Sequence, residues 1–111
     1  MKSYTSLEQA KKLAKILSDK TADMCWERIY DEDHMLSDYR VELLPYRLYS
    51  GLGVPCWSLA ALITVLPAST IDSSEGHYFR VHCQQKFSEW HDNPVDACYE
   101  MITRLNELNL L

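Results

Sequence analysis

Residues 54–67 read VPCWSLAALITVLP, and they lie within a window, 48–71, that contains no charged residue. A membrane anchor, a buried helix and a binding surface are the three readings open to such a stretch. A spanning helix needs about 20 mainly apolar residues. Here Pro55 and Pro67 enclose 11 residues, a helix of roughly 16 Å and about half a bilayer. The stretch is therefore not a membrane span. Ser58 is a good N-cap, Trp57 and Leu62 stand at staple positions, and Pro67 closes the element. Leu59, Leu62, Ile63 and Leu66 form the expected apolar stripe, with the small residues Ala60, Ala61 and Thr64 opposite. Without one charged side chain, this helix is expected to be covered on most sides, by the domain or by a partner chain.

Helical signals are clear at both ends of the chain. The first helix is expected to begin at Thr5 or Ser6, with Thr5 and Glu8 as a capping box and Leu7, Ala10, Leu13, Ala14 and Leu17 as its apolar stripe. The last opens with Asn93 as cap, Pro94 in the first turn and Asp96 at the positive end of the helix dipole. Val95, Cys98, Ile102, Leu105 and Leu108 form one apolar face with Met101 beside it, while Glu100, Arg104 and Glu107 lie on the other face.

Between the helices the pattern changes to strands. Residues 77–92, HYFRVHCQQKFSEWHD, predict two strands around Gln84 and Gln85, with Arg80 opposite Glu89 and Phe79 opposite Trp90. Glutamine disfavours positive φ, so a four-residue loop is expected there rather than a tight turn. Residues 39–49 make a weaker strand that Pro45 breaks or confines to an edge, 24–30 fit a strand or a helix, and the acidic 31–38 fit a loop. The expected fold is α+β, a single domain over 1–111 in which a small antiparallel sheet carries three helices on one side.

Charge sets limits on partners. The net charge is −5, so the chain as a whole does not attract phosphate backbones or anionic lipid. Residues 1–20 carry five lysines against two acids, which reads as a solvated face on an otherwise acidic chain. Residues 23–42 hold seven acids, and of these Asp31, Glu32, Asp33 and Asp38 form a possible acidic docking loop for a basic surface or a DNA-like mimic. Tyr46, Tyr49, Leu52 and Trp57 form a possible apolar interaction surface, open to a partner protein or a second copy.

Chemistry is sparse. The N-terminus lacks the apolar run of a signal peptide, so Cys25, Cys56, Cys83 and Cys98 are expected as reduced thiols. Four Cys and four His show no close ligand pairs, and His77 and Cys83 on one strand face would stand roughly 20 Å apart, so no metal is expected. Cys56, just before a helix start, is the sole placement that would favour a thiolate. No nucleotide or hydrolase fingerprint is present, and neither catalysis nor a cofactor is expected.

Three stretches carry a resemblance: TADMCW at 21–26, PCWSLAALITVLP at 55–67 and NPVDACYEMITRLNELNLL at 93–111. Together they resemble small uncharacterised proteins of Bacteroides prophages and mobile genetic elements. The resemblance implies a cytoplasmic setting linked to mobile DNA and brings no catalytic residue, ligand or partner. The expected function is a small protein-interaction module of a phage or mobile element; the alternative is a nucleic-acid-associated or DNA-mimicking accessory protein.

Overall fold

A computed structural model describes residues 1–42 and 53–111. Tyr46, Tyr49 and Leu52 lie outside the described residues. The fold is α+β, and the chain packs as two compact units, Ser6–Trp57 and Met1–Thr5 with Ser58–Leu111. The strands do not form one sheet: among the described residues each unit has its own three-stranded antiparallel sheet.

In the unit Ser6–Trp57, helix α1 (Leu7–Leu13) is capped by Ser6. Ser6 Oγ accepts from Gln9 N at 3.2 Å while Gln9 Oε1 accepts from Ser6 N at 3.0 Å. The capping box is thus Ser6 and Gln9, one residue later than Thr5 and Glu8; Thr5 is fully buried. Ala10 and Leu13 are buried, whereas Ala14 follows the helix as its exposed C-cap. Helix α1 packs on β3 (Gly53–Cys56), which ends a sheet whose order among the described residues is β2 (Leu36–Glu42), β1 (Met24–Tyr30), β3. Among the described residues no strand pairs with the other side of β3, a position in which Pro55, lacking an N–H, is tolerated. Strand β1 (Met24–Tyr30) settles the ambiguity of 24–30, pairing with β2 (Leu36–Glu42) on one side and β3 on the other.

The acidic stretch 31–38 is a loop only in part. Asp31 Oδ1 accepts from Asp33 N at 3.0 Å and Met35 N at 2.9 Å, and His34 turns the chain at φ 61°. From Leu36 the chain is already strand β2. Trp57 is fully buried and its indole Nε1 donates to Thr21 Oγ1 at 2.9 Å. It is a core side chain of this unit and not part of an exposed surface.

In the other unit, helix α2 (Leu59–Val65) starts at Ser58, whose Oγ accepts from Ala61 N at 3.2 Å, and ends before Pro67. Its buried side is Ala61 and Leu62, continued by Leu66, and it packs on α3 (Pro94–Glu107). Ile63 is 42% exposed, with Ala60 and Thr64 beside it on the surface, so this charge-free helix is covered on one side only. Helix α3 has its expected cap, Asn93 Oδ1 accepting from Asp96 N at 2.9 Å, and buries Val95, Ala97, Cys98, Met101, Ile102 and Leu105. Leu108 leaves the stripe: the helix ends there and the side chain is half exposed. Helix α3 lies against β5 (Tyr78–Cys83), the middle strand between β4 (Ser69–Ser74) and β6 (Lys86–Phe87). No helix among the described residues is long and apolar enough to cross a membrane.

Gly53 is required by crowding. A Cβ there would stand 2.5 Å from Cys25 Sγ and 2.6 Å from the carbonyl oxygen of Trp26. Since the second obstacle is backbone, Gly53→Ala should push β3 away from β1 and cost about 1–3 kcal/mol. A lowered urea midpoint checks this, and an unchanged midpoint would refute it.

Candidate interaction surface

Strand β5 alternates between two environments. Val81 and Cys83 are buried on the face covered by α3, and Tyr78, Arg80 and His82 stand on the other face. The β5–β6 turn brings Phe87 directly opposite His82. That turn is tight: Cys83 pairs with Lys86, and Gln84 and Gln85 both take positive φ, 51° and 64°. The four-residue loop expected from glutamine's preferences does not form. Two successive positive φ values match the right-handed twist of the flanking strands, and that match outweighs a local cost of roughly 1–2 kcal/mol per residue.

Beyond Phe87 the pairing slips by one residue. Ser88 N donates to Val81 O at 2.9 Å, but Val81 N donates to Ser88 Oγ, also at 2.9 Å, in place of a backbone carbonyl. The next ladder contact is Phe79 with His91, closed by two bonds of 2.7 and 2.8 Å. Arg80 therefore faces two residues, Glu89 and Trp90, as in a β-bulge. A regular register would pair Trp90 with Phe79. The extra residue turns Trp90 to the side of Phe87.

The result is a continuous run of rings and cation. The His82 and Phe87 rings stack at 4.2 Å with planes 7° apart. The Arg80 guanidinium lies 4.3 Å from the Phe87 centroid and 4.7 Å from that of Trp90, both cation–π distances. Its Nε donates to Asp72 Oδ2 on β4 at 3.1 Å. Tyr78, Phe87 and Trp90 remain 52%, 45% and 43% exposed.

Helix α3 holds the bulged segment in place. Both Glu100 carboxylate oxygens accept from Glu89 N, at 3.0 and 3.1 Å, and Oε1 is 2.8 Å from His91 Nε2. Arg104 joins them, with Nη2 on Glu100 Oε2 at 2.6 Å and Nη1 on Phe87 O at 2.5 Å. Residues expected on the solvent face of α3 are thus the clamp for the segment that carries Trp90.

The residues singled out by sequence fall elsewhere. Asp31, Glu32, Asp33 and Asp38 are exposed on the β1–β2 hairpin, but Asp31 is engaged in its own turn and Asp38 Oδ1 accepts from Tyr39 N at 2.8 Å. All four cysteines are buried and unbridged. Burial pushes the Cys83 thiol up, and that of Cys98 up to about 12, so both stay protonated. Cys56 is fully buried before α2. No three His, Cys, Asp or Glu side chains among the described residues converge as a metal site. An open cleft of about 660 Å³ beside the start of α3 is lined by Lys2, His77, Asp92 and Asp96, but its carboxylates are engaged by neighbouring side chains. Lys2 Nζ meets Asp96 Oδ1 at 2.8 Å, and Asn93 Nδ2 bridges Asp92 and Asp96 at 2.8 Å each.

Sequence reasoning missed the aromatic–cation face because it kept the register regular to Trp90. The available signal was Ser88, a hydroxyl that can replace a ladder carbonyl ahead of a bulge. Comparison with family models, curated proteins and solved structures returns no match.

Two outcomes follow. Glu100→Ala should release residues 89–91, cost about 1–3 kcal/mol, and increase solvent quenching of Trp90 in a Trp26→Phe, Trp57→Phe background normalised to that background's own stability; unchanged quenching would show that Glu100 is no clamp. Cys98 has a folded pKa above its ordinary value near 9, so its contribution is complete below pH 9 and is lost as pH rises towards about 12, where the unfolded chain ionises first. Denaturant titrations should show a shallower decline over that range in Cys98→Ala than in the wild type.

Proposed function

We propose that this chain is a small non-catalytic interaction module that binds a protein partner through the Arg80–Phe87–Trp90 face. The observation that carries the reading is that two large rings and a guanidinium are held at the surface by a dedicated network, although burying them would stabilise the fold. Trp, Tyr and Arg are the residues that dominate protein-binding energies, and here they are adjacent. Charge favours a protein over nucleic acid. The unit bearing this face has four basic against seven acidic side chains, so a phosphate backbone meets repulsion where strand-binding proteins offer a positive groove. The cytoplasmic, mobile-element setting rests on the resemblance of residues 21–26, 55–67 and 93–111.

A second reading, mimicry of DNA by the exposed acids of the β1–β2 hairpin, is supported by Glu32 and Asp33 at its tip. The two readings separate in one experiment. Affinity capture from the native host with wild-type bait should recover a partner that Phe87→Ala, Trp90→Ala bait loses while circular dichroism is unchanged. Retention by that bait, with loss on Glu32→Lys, Asp33→Lys, would reject the aromatic face in favour of the acidic hairpin.

A further inference from the structure

Strand β4 is an edge of its sheet, and its register shows which backbone groups are unused. Residues 79, 81 and 83 of β5 direct their N–H and C=O groups to the β6 side. Residues 78, 80 and 82 therefore bond to Ser74, Asp72 and Thr70 of β4. The N–H and C=O groups of Ile71 and Ser73 point away from the sheet, and no hydrogen bond among the described residues takes them. Few of the usual protections against pairing are present: β4 has no proline, no lysine and no bulge, and its one charge, Asp72, is paired with Arg80.

The side chains beside that edge form a pattern. On the face of Arg80, β4 presents Thr70, Asp72 and Ser74. Strand β5 already meets them from one side with His82, Arg80 and Tyr78, ring, cation and ring. Asp72 gives Oδ2 to Arg80, and its side chain is 40% exposed. At either end of the strand is a shallow hollow, about 320 Å³ beside Thr70 and His82 and about 270 Å³ between Ser74, Tyr78 and Trp90.

We propose that the open edge of β4 takes up an extended segment of the partner protein as a fourth strand, with an aromatic-x-basic-x-aromatic pattern. The proposal rests on the protein-binding reading and names the chemistry of the partner. Pairing at Asp72 would be of the non-hydrogen-bonded kind, which brings opposed side chains closest, so an incoming Arg or Lys meets the second oxygen of Asp72. Residues two positions to either side fall on the same face and reach the two hollows. The two intervening residues bond to Ile71 and Ser73, as in recognition by strand addition. The acidic balance of this unit favours the same basic residue.

The test uses the full chain and a fluorescein-labelled peptide with the core Tyr-Thr-Arg-Thr-Tyr, read by anisotropy. Saturable binding is expected, weakened about tenfold by Arg→Glu in the peptide and at least about as much by N-methylation of both threonines, which removes two ladder bonds. Asp72→Asn in the protein, with its thermal midpoint measured alongside, should shrink the difference between the Arg and Glu peptides. Equal affinity for the two peptides, unchanged binding after N-methylation, or no saturation at about 1 mM would overturn the proposal. Concentration-dependent dimerisation that blocks the peptide would instead assign the edge to a second copy of the chain, and overturn it too. Native-partner capture that depends on Trp90 while no peptide binds would leave the protein-binding reading standing and remove only the edge.

Discussion

One extra residue opposite Arg80 decides what the second sheet displays. In a strand the faces alternate strictly, so a single insertion exchanges the sides of everything after it. Ser88 makes the slip possible by lending its hydroxyl to Val81 N, and Glu100 makes it permanent by occupying Glu89 N and His91 together. Without the hydroxyl a buried N–H would be unpaired; without the carboxylate the slipped segment would have no anchor on the helix. The position of Trp90 beside the guanidinium and the hollow next to it follow from that local change, while the His82–Phe87 stack belongs to the regular register ahead of it.

Local signals were legible in the sequence where a residue and its partner are neighbours in the chain. Ser58 and Asn93 cap the helices they were expected to cap, and the pairing of Cys83 with Lys86 agrees with the register centred on the two glutamines. The α+β class followed from the same signals. What failed was decided at a distance. The tight turn overrode glutamine's own preference, because strand twist is a property of both strands and not of the loop. Residues 24–30 could not be assigned by periodicity, since their state depends on β2 and β3 together. The division into two sheets is equally non-local.

The charge-free stretch 54–67 shows why hydropathy and burial are separate quantities. It splits into a β-strand, a capped helix seven residues long and an exit through Pro67. Ile63 faces solvent while Ala61, a smaller side chain, is buried. Packing at α2 is governed by how closely α3 approaches, and a small residue at that contact is worth more than a large one beside it. Of the surface built on this region, Trp57 belongs to the interior. The aromatic face that replaces it lies on a sheet whose strands, read alone, alternate too weakly to announce an exposed site.

Arg80 is a long side chain whose rotamers are already fixed before anything binds. The Phe87 and Trp90 rings and the Asp72 carboxylate restrict it within the free protein. Ordering a flexible arginine at an interface normally costs about 0.5–1.5 kcal/mol at the moment of association. Here that ordering belongs to folding. The entropy is lost once, when the chain collapses, and a ligand arriving later meets a side chain that is already ordered and already paired with Asp72.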